Sequence, residues 1–194
     1  MSNDGVDNGK RRFLTLATSA VGAVGVVGVA VPFLGSWKPS AKAQAAGAPV
    51  EVQLDKLEVG QMVKVEWRGK PVFVVKRSDS VIEALRNTKH DLKDPTSENF
   101  PEQQPAYVDK DVRSVKPEIM VLVGICTHLG CVPQHEKETE VDWGGGFFCP
   151  CHGSRFDLAG RVFSGVPASK NLEVPPYSYT SDTSILIGVD EGAA

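Results

Sequence analysis

The chain has 194 residues, 41% hydrophobic and 23% charged, a composition that fits one modest globular domain with an appendage and excludes a disordered, collagen-like or polytopic membrane protein. A formal net charge of -3 provides no cationic field for gathering phosphates, so no nucleic-acid partner is expected. The charge is divided unevenly. Lys10, Arg11, Arg12, Lys38 and Lys42 face only Asp4 and Asp7 in residues 1–49, whereas residues 50–194 carry 16 bases against 22 acids, a net -6.

Residues 1–12 end in the basic run Lys10-Arg11-Arg12. Residues 13–37 contain no ionisable side chain over 25 positions rich in Val, Ala, Leu and Gly. At about 1.5 Å per helical residue this stretch exceeds a hydrocarbon core of about 30 Å, so it reads as a single transmembrane helix. The preceding bases stay on the cytoplasmic side, which places the body outside. A cleaved secretory signal is the competing reading, since Ala41-Lys42-Ala43-Gln44-Ala45 offers small residues of cleavage-site type, but the apolar stretch is longer than a typical signal core. Lys10-Arg11-Arg12-Phe13-Leu14 also resembles a twin-arginine export signal, a route for proteins that leave the cytoplasm folded around a cofactor. Residues 38–49, rich in Ala, Ser, Pro and Gly with no apolar periodicity, read as a flexible linker.

Beyond the linker, residues 50–194 carry short apolar runs at 50–54, 62–67, 71–75, 119–125, 146–149 and 185–189. Many are β-branched and bounded by Gly, Pro or Asp, which predicts an all-β, antiparallel body. Arg68-Gly69-Lys70 predicts a hairpin turn. Residues 80–92 predict one short helix, and 94–105, with three prolines among polar residues, a surface insertion. His90 and His135 are expected to be solvated.

All four cysteines lie within 26 positions, in the segments Cys126-Thr127-His128-Leu129-Gly130-Cys131 and Cys149-Pro150-Cys151-His152-Gly153-Ser154. Thiolates and imidazoles in pairs can close a tetrahedral zinc site, yet six donors exceed one zinc.

The two boxes resemble those of the Rieske iron–sulfur proteins, and within them the iron–sulfur subunits of ubiquinol–cytochrome c reductase (cytochrome bc) complexes. The resemblance covers the whole plan of basic start, single anchor, linker and cluster domain. It implies a Rieske-type antiparallel β domain with cluster-binding loops, in which one iron of a 2Fe-2S cluster is held by Cys126 and Cys149 and the other by His128 and His152. It also implies that a Cys131–Cys151 disulfide joins the loops, which an exported domain permits. Two ferric ions, two sulfides and two thiolates sum to zero charge, so such a cluster is easier to reduce than one with four thiolates. Each ligating imidazole keeps a second nitrogen whose proton affinity rises on reduction, which couples electron to proton.

By the same resemblance, His152 contacts quinol and accepts its proton, and Leu129 is either an apolar tip residue or an ordinary core leucine. Ser154 stands where a hydroxyl donates to a cluster sulfur. Phe156 stands where respiratory members often carry a tyrosine, so one donor is missing. Pro167, in Gly165-Val166-Pro167-Ala168-Ser169, belongs to a loop covering the cluster. Trp143-Gly144-Gly145-Gly146-Phe147 either lets backbone amides approach the cluster sulfurs or is a plain hairpin turn. The implied function is that of an electron-transfer subunit, active within a complex, that oxidises quinol and passes electrons to a c-type cytochrome. The implied partners are a cytochrome b subunit, a c-type cytochrome subunit, quinol and membrane lipid. The implied location is the bacterial inner membrane, single-pass, with the cluster domain in the periplasm. The alternatives are the small Rieske subunit of another exported oxidoreductase such as arsenite oxidase, and a Rieske ferredoxin or oxygenase component. The ferredoxin reading is opposed by Cys131, Cys151 and the apolar stretch at 13–37.

Overall fold

The computed structural model describes residues 5, 7–87, 91–137 and 141–190. They fall into two units divided after Ala45.

The first unit is built on α1 (Asn8–Gly35), 28 residues long and with no residue buried. Asp7 caps it, its carboxylate accepting from the amides of Gly9 and Lys10 at 2.9 and 3.1 Å. The helix starts earlier than the apolar stretch, so Lys10, Arg11 and Arg12 occupy its first turns rather than preceding it. Two hydroxyls within it are satisfied locally, Thr15 donating to the Arg11 carbonyl and Thr18 to the Leu14 carbonyl. Pro32 lies inside the helix near its end, where Ser36 caps the last turn and the Trp37 ring meets Phe33 edge-on at 5.5 Å. The linker contains one element the composition did not suggest. Ala41–Ala46 forms a six-residue helix, α2, with the Ser40 hydroxyl accepting from the Ala43 amide. Alanines behind a serine cap favour this turn locally.

The second unit holds nine strands in three antiparallel sheets of three, among the described residues. In chain order they are β1 (Val50–Gln53), β2 (Met62–Trp67), β3 (Lys70–Lys76), β4 (Ile119–Val123), β5 (Gln134–Glu136), β6 (Gly146–Cys149), β7 (Ser154–Phe156), β8 (Tyr177–Ser181) and β9 (Ser184–Ile187). The sheets run β1-β9-β8, β2-β3-β4 and β5-β6-β7. The predicted hairpin is present. Trp67 pairs with Lys70 across a two-residue loop in which Arg68 and Gly69 both have positive φ, the turn whose twist matches the strands it joins. β4 is buried along its whole length, which explains its unbroken apolar run. One core joins the three sheets and includes Phe73, Met120, Leu122, Phe147, Phe156, Tyr177, Ile185 and Ile187. Phe73 of β3 stacks on Phe147 of β6 at 5.4 Å, tying the second sheet to the third.

Strands β5, β7 and β8 were not anticipated, because their residues are short, polar or alternating rather than apolar runs. The helix expected at 80–92 is α3 (Asp79–Asn87), and Leu92 instead bridges to Phe163. The segment 94–105 is not a simple surface insertion. Asp94 and Ser97 are buried, and the Asn171 side-chain amide donates to the Asp94 carbonyl and the Ser97 hydroxyl while its oxygen accepts from the Val162 amide. Its prolines shape a packed loop around a short 3-10 turn at Pro101–Gln103.

Three buried arginines fasten the loops that follow β7. Arg77 donates to the Val112 and Leu158 carbonyls, Arg113 to those of Ala159 and Leu172, and Arg161 to Leu85 and to the Asp157 carboxylate at 2.7 Å. Burial pushes the guanidinium pKa down to about 10 at Arg77 and at Arg113, so both keep their charge near neutral pH.

Gly146 opens β6 with φ +135°, and a side chain there would collide with the Phe156 carbonyl and the Asp157 backbone. Gly146 therefore serves a close approach of the strands. Gly146→Ala should lower unfolding free energy by at least about 2 kcal/mol, the scale of overpacking plus backbone strain. Urea unfolding of the purified protein tests this, and parental stability would show that β6 and β7 can part at no cost.

Candidate metal centre

Two loops form the site, and each comes from a different sheet. The first leaves the end of β4 and closes on itself, the Cys126 amide donating to the Cys131 carbonyl at 2.7 Å and the Gly130 amide to the Cys126 carbonyl at 3.0 Å. The Thr127 hydroxyl anchors it to the Lys170 carbonyl at 2.6 Å. The second is the β6–β7 turn, where the Gly153 amide donates to the Cys149 carbonyl at 2.9 Å. In that hairpin Cys149 pairs with Ser154 and Phe147 with Phe156. All four side chains are buried on the inner face, while Cys151 and His152 are exposed at the turn.

The structure brings residues of the two boxes together as follows. Cys131 and Cys151 form a disulfide between the loops, with Cα atoms 6.8 Å apart. Cys126 and Cys149 are free and buried. The His128 and His152 rings meet at right angles, 4.7 Å between centroids. The sulfur of Cys149 lies within 4.8 Å of both disulfide sulfurs, but those two are consumed by their own bond. The donors of the two boxes outside that bond are Cys126, Cys149, His128 and His152.

Two observations test whether these residues fit a metal group. Nδ1 of His128 is buried without a hydrogen-bond partner, a costly state for a polar atom unless a ligand takes it. Burial pushes the Cys126 thiol up. The backbone amide of His128 opposes this, hydrogen bonding from Cys149 adds to it, and the Ser154 hydroxyl opposes it. A metal ion binding the thiolate would displace the proton of such a thiol. An equal set of thiols and imidazoles beside an orphaned imidazole nitrogen fits a cluster with mixed ligands.

The neighbours sort clearly. Leu129 is 70% exposed and not a core leucine, and Val132 beside it is 44% exposed. Ser154 is buried, and its oxygen accepts from the Ala168 amide at 3.0 Å. Phe156 is wholly buried in the core that also contains Cys126 and Cys149. In the loop 165–169 it is Ala168 that packs inward, while Pro167 is exposed. His135, expected to be solvated, is half-buried in β5 with its ring 5.5 Å from Phe147. His90 lies outside the described residues. The sequence reading missed Thr127 and Ala168, whose roles depend on chain segments that only the fold brings near.

Residues 89–177 match the family model described as Rieske [2Fe-2S] domain, and residues 1–40 match the one described as Ubiquitinol-cytochrome C reductase Fe-S subunit TAT signal. The chain is 54% identical over 199 residues to the ubiquinol-cytochrome c reductase iron-sulfur subunit of Allochromatium vinosum, covering 100% of this chain and 95% of that one. It belongs to the ubiquinol–cytochrome c reductase iron–sulfur subunit family. The subunit of the same name from Bradyrhizobium diazoefficiens is 43% identical over 181 residues, covering 92% of this chain and 94% of that one. The Rhodospirillum rubrum subunit is 42% identical over 189 residues, covering 96% of each chain. The matched Rieske domain begins after β1, β2, β3 and α3, so it spans both boxes and the loop 165–169, but only part of the second unit.

Two loops from separate sheets open more easily without a covalent tie. Cys131→Ser should therefore assemble less Rieske cluster and bleach several-fold faster, as followed by visible absorbance. Two free thiols at Cys131 and Cys151 in the mass of the intact oxidised protein would contradict the disulfide.

Proposed function

We propose that this chain is the electron-transfer subunit of a quinol–cytochrome c reductase complex, with Cys126, Cys149, His128 and His152 holding its cluster. The single observation that carries the reading is the meeting of the two histidine rings, 4.7 Å apart, above two buried free thiols in loops closed by a disulfide. When bound, a [2Fe-2S] cluster with mixed ligands supplies a one-electron acceptor of raised potential.

The residues divide the work by exposure. Cys126 and Cys149, buried, keep the thiolate side away from water. His152, exposed at the loop tip, hydrogen-bonds the quinol hydroxyl through its outer ring nitrogen and takes up the proton that the quinol must lose. Leu129 and Val132 present an apolar rim whose burial against a cytochrome b subunit excludes water from that contact. Ser154 holds a hydrogen bond to the sulfur side, and Phe156 withholds one. The head delivers its electron to a c-type cytochrome subunit. Residues 13–37 anchor the chain in a bacterial inner membrane, with Lys10, Arg11 and Arg12 on the cytoplasmic side and the head in the periplasm. The full-length similarity to reductase subunits supports this reading over the small subunit of an arsenite oxidase.

The full chain purified in detergent should contain iron and acid-labile sulfide in equal amounts. When reduced, it should give a rhombic paramagnetic signal with an average g below the free-electron value. Replacing His128 or His152 should abolish that signal, and zinc in place of iron would overturn the reading.

Phe156→Tyr offers a hydroxyl to the sulfur side, and a hydrogen bond there favours the electron-rich reduced state more than the neutral oxidised one. The midpoint potential should rise, and Ser154→Ala should lower it. Each tenfold change in the equilibrium is about 59 mV for a one-electron couple. A Phe156→Tyr potential at or below the parent's, with the cluster intact, would remove Phe156 from this role.

A further inference from the structure

Lys93 lies in the packed segment before the 3-10 turn, outside both boxes, and its ammonium is not spent on an acid. It donates instead to the carbonyls of Val166 and Ala168, both at 2.6 Å, 73 and 75 residues further along the chain. Among the described residues no carboxylate stands within ion-pair distance of it. Its stem is fixed from behind, the Lys93 amide donating to the Val162 carbonyl at 3.0 Å and the Asp94 carbonyl accepting from Asn171 at 2.9 Å. The lysine is thus a cationic clamp on the loop 165–169.

Ala168 is bonded at both ends. Its carbonyl is held by Lys93, and its amide donates to Ser154 Oγ at 3.0 Å. An amide donating to a hydroxyl oxygen occupies a lone pair and leaves the hydroxyl's only proton for another acceptor. In the β6–β7 hairpin Ser154 pairs with Cys149, so that proton is available to the sulfur side of the metal centre.

We propose that Lys93 is a positioning residue for the metal centre: by clamping the Val166 and Ala168 carbonyls it fixes the Ala168 amide on Ser154 Oγ, which aims the Ser154 proton at the sulfur side of the site. This rests on the reading of Cys126, Cys149, His128 and His152 as the ligands of an iron–sulfur cluster. Two short bonds from a charged donor are strong enough to hold the loop in place. The consequence is electronic as well as mechanical, since a proton aimed at the sulfur favours the reduced state.

The test uses the full chain with its cluster, purified in detergent, as parent, Lys93→Met, Lys93→Arg, Ser154→Ala and the Lys93→Met/Ser154→Ala pair. Lys93→Met should shift the reduction equilibrium about tenfold towards the oxidised form, about 59 mV for one electron, and Lys93→Arg should restore most of it. In the Ser154→Ala background the same substitution should shift the equilibrium less than about threefold, because the bond it positions is already gone. Independently of loading, the Ala168 amide in Lys93→Met should exchange its hydrogen about tenfold faster. If Lys93→Met does not fold, Lys93→Gln, which can still donate to one carbonyl, is read in the same cycle and should show a smaller shift of the same sign.

A parent without iron would overturn the proposed function and this inference together. A parent with iron, and a Lys93→Met variant keeping both potential and exchange rate, would overturn the Lys93 assignment alone. An equal shift in both backgrounds would reduce Lys93 to a distant charge and overturn its positioning role.

Discussion

The covalent and packing tie between two loops of separate sheets is the constraint on which the site depends. Cys126 and His128 are delivered by the end of β4, and Cys149 and His152 by the β6–β7 turn. Neither loop alone offers more than one thiol and one imidazole beyond its disulfide half. The loops meet because Phe73 stacks on Phe147 beneath them and Cys131 is bonded to Cys151 above. A site made this way is rigid at its base and joined at its rim, which suits a centre that must gain and lose charge with little rearrangement.

The buried arginines extend the same logic outward. The turn after β7 turns its carbonyls inward, and an unpaired buried carbonyl is expensive. Arg77 and Arg113 meet these carbonyls with charged donors and Arg161 bonds the Asp157 carboxylate, so the loop behind the second box is set by hydrogen bonds as well as by the packing of Leu158 and Ala159. Asp157 alone supplies a carboxylate bonded directly to them, to Arg161, among the described residues.

What could be read from the sequence follows from how local each signal is. β3 and β4 are visible because burial on both faces leaves unbroken β-branched runs, and the Arg68-Gly69 turn is visible because its chemistry is contained in two residues. The ligand boxes stand out because four cysteines crowd into 26 positions, and their pairing was accessible through resemblance. β5, β7 and β8 were hidden, since three polar residues such as Gln134–Glu136 become a strand only by pairing with β6. Residues 94–105 misled because prolines and polar side chains look the same in a solvated loop and in one whose Asp94 and Ser97 are bonded inside the fold. Lys93 was illegible for a simpler reason. Nothing around a single lysine announces carbonyls more than seventy positions away.

The nearness of Cys149 to the disulfide has a further consequence for how the molecule must be built. A sulfur within 4.8 Å of two bonded sulfurs is placed for thiol–disulfide exchange whenever it is a free thiolate. Coordination to iron withdraws it from that chemistry. An order of metal first and oxidation second would keep Cys149 out of that exchange. In an oxidising compartment a head without its metal would expose Cys149 to rearrangement with its neighbours.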